Sequence, residues 1–197
     1  MTSARRSPAV DLALIATFAA LIAVLGLAGA VPLPFTPVPL TLQTLGVMLT
    51  GTLLGWRRAG LAVLLFLTLV AAGLPLMAGG RGGIGYFSSP PVGFAIGWVF
   101  AVIVIGVLVQ RRLPAYPLWW GALANLVGGV LVVYAFGVPV QALLMKISVI
   151  EAGAMSLVFL PGDLVKVAVA TVVSAGVLRA LPDLAPAPSA TERVDAR

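Results

Sequence analysis

Apolar stretches recur along this chain at the length a bilayer demands, and that pattern decides what it can fold into. A hydrocarbon core about 30 Å thick needs roughly 20 apolar residues in a helix. By that measure the 197 residues divide into six spans. The first, about 12–31, is stopped by PLPFTPVP, whose four prolines in eight residues end a helix and impose a rigid extended loop. Spans follow at about 40–55 and 60–74, joined by GWRRAG, then at 92–109 after PLMAGGRGGIGYFSSPP and at 118–136 after QRRLPAYP. Residues 137–162 are apolar but carry Lys146 and Glu151. They read as a long loop holding a short interfacial helix, with a seventh span as the alternative. The last span is about 163–181. The expected architecture is an all-α integral membrane protein, with 1–181 as one six-helix transmembrane domain and the Pro/Ala-rich 182–197 as a disordered cytoplasmic tail.

Composition agrees, since only 9% of the residues are charged, against about 25% in soluble domains. A lone signal peptide cannot account for apolar runs along the whole chain. The net charge of +6 does not point to nucleic acid, because the basic residues sit at the ends of apolar runs rather than in one stripe. They report orientation instead. Arg5, Arg6, Arg57, Arg58, Arg111, Arg112, Arg179, Arg193 and Arg197 fall on one side of the six-span arrangement, and only Arg81, Lys146 and Lys166 on the other. Nine against three places both termini in the cytoplasm. The chain has no cysteine and no histidine, which removes disulfides, thiolate or imidazole metal sites and a serine–histidine couple. The connections on the cytoplasmic side are too short to hold a nucleotide-binding domain.

A few polar residues stand out. Asp or Lys at mid-bilayer costs about 2.5–3.5 kcal/mol on insertion scales, so such residues usually have a partner and a purpose. In FLPGDLVK, Asp163 and Lys166 are three apart on one helix face. Asp163 capping the helix after Pro161-Gly162 would explain the acid, but a cation in the first turn opposes the helix dipole, which favours ligand binding for the pair. In PLTLQTLG, Thr41, Gln43 and Thr44 lie at the external end of a span, as ligand contacts or as interhelical hydrogen-bonding groups. GGRGGIG matches the dinucleotide pattern G-x-G-x-x-G formally, yet it lacks the βαβ setting and a nearby acid. It serves as a flexible connection or as a bare backbone that a ligand approaches closely. Trp98, Trp119, Trp120, Tyr116 and Tyr134 read as interfacial belt residues. In the first span, Ala16 with Ala20, or equally Ala19 with Ala23, has the spacing of a close helix contact.

Taken in order, VPLTLQTLGVMLTGTLLGWRRAGLAVLLFL, GLPLMAGGRGGIG and FLPGDLVK resemble the signature regions of the BioY family, the biotin-specific S components of energy-coupling factor (ECF) transporters. The resemblance runs from about Leu12 to Leu181. It implies a non-enzymatic, multi-pass protein of the prokaryotic cell membrane that captures biotin at the outer face. It also implies partnership with a transmembrane coupling subunit and two cytoplasmic ATPase subunits, with no cofactor in this chain. By the same resemblance Asp163 and Lys166 contact the ligand, the loop of Gly79, Gly80, Arg81, Gly82 and Gly83 closes over it, and the face of Ala16 and Ala20 docks the coupling subunit. Gln43, Tyr86 and Phe94 complete the expected site. A carboxylate and an ammonium complement the N–H donors and carbonyl of a ureido ring. Arg81 is assigned to the valerate carboxylate, and the roles of Arg81 and Lys166 are interchangeable at this stage. The family pattern Pro-Thr-Gly-Gly-Tyr falls on Pro90, Pro91, Val92, Gly93 and Phe94, so the chain departs from it at Pro91, Val92 and Phe94. Two hydroxyls are thereby lost, and Phe94 is limited to apolar packing. A proton- or ion-coupled secondary transporter is the competing expectation.

Overall fold

Ser7 opens the first helix, its hydroxyl accepting from the Val10 N–H at 3.4 Å while Pro8 occupies the first helical position, where a missing N–H costs nothing. The computed structural model describes residues 7–28 and 30–184; the tail expected over 182–197 lies outside the described residues beyond Leu184. Helix α1 spans Pro8–Leu27, β1 Val31–Leu33, β2 Thr36–Leu40, α2 Gln43–Ala71, α3 Val92–Gln110, α4 Leu118–Leu126, α5 Val133–Met145, α6 Val149–Ser156 and α7 Leu160–Ala180. A π-helical turn, Val127–Val132, joins α4 to α5, and a short 3₁₀ turn, Leu157–Phe159, joins α6 to α7. Five helical stretches among the described residues are long and apolar enough to cross a membrane.

Three expectations change. The proline loop is an antiparallel hairpin, with Val31 opposite Leu40 and Leu33 opposite Thr36, so the fold is mostly helical rather than purely α. Its prolines supply the extended backbone but no ladder donors, which keeps the strands short.

The second change concerns 40–74. Helix α2 consists of two helical arms meeting at a kink at Gly55, whose φ of 72° and ψ of 168° are open to glycine alone. A straight 29-residue helix would hold its ends about 43 Å apart. Instead the Gln43 side chain donates to the Leu76 carbonyl at 3.3 Å, so the chain doubles back at Gly55. Gly106 of α3 accommodates this corner; a Cβ there would stand 2.7 Å from the Gly55 carbonyl carbon.

The third change is that 137–162 is not a loop. Helix α5 continues through Gly137 and Pro139 to Met145, and Lys146 ends it in the left-handed conformation (φ 57°, ψ 39°). Gly and Pro break helices in water, but in an apolar medium an unpaired backbone group costs several kcal/mol, so the helix persists. Ser148 then caps α6 through the Glu151 N–H at 3.1 Å. Lys146 and Glu151 are exposed, as solvated charges should be.

Close approach of helices relies on small residues, as membrane packing does. A Cβ on Gly51 would lie 2.9 Å from Ile105, and one on Gly97 would lie 3.1 Å from the Val133 Cα. The corner yields a prediction. Gly55→Ala should destabilise by about 2 kcal/mol, roughly 4–8 °C for a chain of this size. Gly176→Ala on α7, where an added Cβ meets nothing within 4 Å, should leave the melting temperature unchanged or slightly raised. Thermal denaturation of the two detergent-purified variants checks the contrast.

Candidate functional site

Helix α7 begins at Leu160, with Pro161 in its first turn. Asp163 is therefore inside the helix rather than its cap; the cap is Phe159, which offers no side-chain bond. The capping explanation of Asp163 is thereby removed, and the carboxylate is free to work across the bundle. Lys166 donates to Asp163 Oδ1 at 2.9 Å and to Thr44 Oγ1 at 3.0 Å. The Thr44 hydroxyl also lies 3.5 Å from Asp163 Oδ1, and the Tyr134 hydroxyl donates to Oδ2 at 2.7 Å. Asp163 and Lys166 are 4% and 7% exposed, so this is a buried ion pair. It is closed by one hydroxyl from the start of α2 and another from α5.

Tyr134 is the residue the sequence reading missed. Its ring meets Phe94 edge-on with centroids 6.1 Å apart, so its place is in the bundle rather than in an interfacial belt. Trp98 and Tyr116 are buried as well, whereas Trp119 is 61% exposed. Phe94 fits a notch left by Gly137, where a Cβ would meet its ring, which agrees with a purely apolar role.

The glycine loop forms the second part of the site. Met77 and Arg81 pair their backbones (Met77 N–H to Arg81 O 2.9 Å, Arg81 N–H to Met77 O 3.2 Å), closing the tight turn Ala78-Gly79-Gly80. Gly79 and Gly80 have φ of 75° and 69°, which a side chain would strain. Gly82 passes so close to the Leu74 carbonyl that a Cβ has no room, and the Gly83 N–H donates to Val70 O at 2.8 Å. Arg81 donates through Nε to Ala78 O at 3.0 Å and holds its guanidinium 5.8 Å from the Tyr86 ring centre. Burial pushes the Tyr86 phenol well above its usual range, with the Arg81 charge acting against that shift.

Between this loop and the hairpin lies a cavity of about 500 Å³, walled by Pro32, Leu33, Thr36, Pro37 and Pro39 on one side and Ala78, Gly79 and Arg81 on the other. That volume is in the range of small-molecule sites. Asp163 and Lys166 are not among its walls. Strand β2 links the two parts. Thr36 at its start lines the cavity, and Leu40 at its end lies 3.8 Å from the Cβ position of Gly162, next to Asp163. Gln43 is 1% exposed and spends an amide N–H on Leu76, bracing the start of α2 against the glycine loop. Among the described residues no cluster of acidic side chains could hold a metal ion.

The site makes a stability prediction. Lys166→Met strands a buried carboxylate and should cost about 3–5 kcal/mol, whereas the double variant Asp163→Leu/Lys166→Met should recover most of the loss. Thermal melts of the two variants beside the unmutated protein decide it; equal losses would mean that the charges do not compensate one another.

The BioY family profile matches residues 1–183. A relative described as the biotin transporter BioY of Rhizobium etli is 43% identical over 177 residues, covering 87% of this chain and 95% of that one. A Rhodobacter capsulatus protein described in the same words is 47% identical, over 83% of this chain and 90% of its own. A crystal structure described as the S-component for biotin from an ECF-type ABC transporter superposes with a TM-score of 0.83 at 29% identity, covering 89% of this chain and 95% of that one. By profile, by relatives and by fold, this chain belongs to the BioY family.

Proposed function

We propose that this chain captures biotin at the Asp163 end of its bundle and carries it across the membrane as the substrate-binding component of an ATP-driven ECF transporter. The observation that carries the reading is the buried Asp163–Lys166 pair. An ammonium has three donors, and Lys166 uses two of them, on Thr44 and Asp163. The carboxylate likewise keeps acceptor capacity beyond its bonds from Lys166, Thr44 and Tyr134. A ureido ring presents an N–H to such a carboxylate and its carbonyl to such an ammonium. Arg81, on the cavity wall with its Nη groups unbonded among the described residues, suits the valerate carboxylate. Gly79, Gly80, Gly82 and Gly83 bring bare backbone close to the ligand, and Tyr86 and Phe94 supply apolar surface.

The protein is a multi-pass protein of the cell membrane, and its role is transport rather than catalysis. We read α1, the two arms of α2, α3, α4–α5 and α6–α7 as six crossings. Each arm of α2 is shorter than roughly 20 residues, and the arginines at its corner extend their stems toward the interface. The Asp11–Arg58 ion pair (2.9 Å) supports placing the start of α1 at the same end as the arginine turn of α2, hence both termini in the cytoplasm. Ala16 and Ala20 are exposed while Ala19 and Ala23 are buried, which favours the first pair as the docking face for the coupling subunit that two ATPase subunits would drive.

Equilibrium titration of the detergent-purified protein with biotin, with thiamine as control, tests the reading. Saturable binding of biotin alone is expected. A charge-assisted hydrogen bond contributes about 1.5–3 kcal/mol, so Asp163→Asn should weaken binding at least tenfold. Tyr134→Phe, which touches only the positioning of Asp163, should weaken it severalfold. Folded protein that ignores biotin would instead point to another solute.

A further inference from the structure

The opposite end of the bundle, around Gly55, is built from two arginine turns. Arg57 and Arg58 follow the corner of α2, and Arg111 and Arg112 follow α3; the contact of Gly106 with Gly55 brings these turns to one end. Arg58 is paired with Asp11, while Arg57, Arg111 and Arg112 have no carboxylate partner among the described residues. Two of the three unpaired cations rest on aromatic faces. Arg57 lies 4.9 Å from the Trp56 ring centre, and Arg112 lies 4.9 Å from that of Trp120 and 6.0 Å from that of Trp119. Trp120 is itself anchored, its Nε1 donating to Leu108 O at 2.7 Å, and Trp119 meets it edge-on at 5.4 Å.

We propose that Arg112, seated on Trp119 and Trp120, forms a binding site for the phosphodiester of an anionic phospholipid, with Arg57 on Trp56 as a weaker second contact. A guanidinium held by its face presents its N–H edge outward, the geometry that forks onto a phosphate. The setting favours lipid over a protein partner. Trp119 is 61% exposed, Leu118 48% and Trp56 39%, at the end of apolar helices where headgroups lie and indoles partition. A net anionic headgroup is preferred over a zwitterionic one, whose own ammonium the unpaired arginines repel. The proposal rests on the membrane placement of the chain and not on its ligand.

Native mass spectrometry of the full chain with phosphatidylglycerol and phosphatidylcholine of matched acyl chains tests it. One well-placed charge near a headgroup corresponds to about fivefold in affinity, so phosphatidylglycerol should be retained about fivefold over phosphatidylcholine and Arg112→Gln should abolish most of that preference. Arg112→Lys, which keeps the charge without the planar fork, should lose part of it and serves if the glutamine variant does not fold. Arg111→Gln removes the same charge from a residue with no aromatic contact among the described residues and should change the preference less than twofold. Equal losses in Arg111→Gln and Arg112→Gln would overturn the site in favour of diffuse charge attraction. Equal retention of the two lipids, or retention unmoved by every variant, would assign the platform to a protein partner instead. Displacement by glycerol 3-phosphate at equal concentration would reduce it to a general phosphate site.

Discussion

The buried ion pair of Asp163 and Lys166 is the constraint around which its end of the bundle is arranged. Neither charge is tolerable alone in a medium of low dielectric, and the i,i+3 spacing supplies the partner locally. Thr44 and Tyr134, from helices distant in sequence, then meet part of the pair's remaining hydrogen-bonding capacity. Helix α7 is apolar around most of its circumference, so hydrophobic patterning cannot fix its rotation in lipid. The polar pair does so, and the same face carries the buried Ala170, Thr171 and Ser174 inward.

A second polar layer repeats the arrangement deeper in the bundle. Thr52 donates to Asn125 at 3.2 Å, and Asn125 donates to Thr171 at 3.4 Å, all three being buried. These residues lie eight positions from Thr44, nine from Tyr134 and eight from Asp163, which at 1.5 Å per residue is about 12–14 Å along each helix. The helices α2, α4–α5 and α7 are thus pinned at two levels. Between the levels the packing is apolar and close, with Met48 lying where a side chain on Gly129 would otherwise stand. The second level is built from neutral groups, with Thr171 also donating to the Val167 carbonyl, whereas the first keeps net charges on both partners.

Much of this was legible in the sequence. The apolar runs located α1, α3 and α7 within a few residues, because an uninterrupted run in lipid has few alternatives to helix. The Asp163–Lys166 pair stood out because its cost in an apolar setting is high and both residues fall within one turn. Tyr134 did not stand out. Tyrosine is common at membrane interfaces, and its partner lies 29 residues away, a separation no local pattern reports. Gly55 was legible as a boundary but not as a single-residue reversal, since glycine looks the same in a loop and in a corner. The helix through Gly137 and Pro139 was misjudged because breaker rules drawn from water undercount what an unpaired peptide group costs in hydrocarbon. The hairpin was hidden by prolines that forbid helix without announcing strand pairing.

The two parts of the site divide the work of recognition on the proposed reading. The cavity between hairpin and glycine loop is apolar apart from Thr36 and Arg81, so it selects by size and by one negative charge, and many small acids would satisfy it. Discrimination must come from the ion pair, where donor and acceptor stand side by side with fixed polarity. Its closure by Thr44 and Tyr134 matters for affinity. A pair that satisfied itself completely would have to be broken before any ligand could bind, and the cost of breaking it would offset the gain. Here Lys166 spends two of its three donors on partners among the described residues, and a buried donor left unsatisfied costs about 1–3 kcal/mol. A ligand carbonyl that accepts from it adds a bond without displacing one, so the energy withheld from the unliganded fold becomes part of the binding energy.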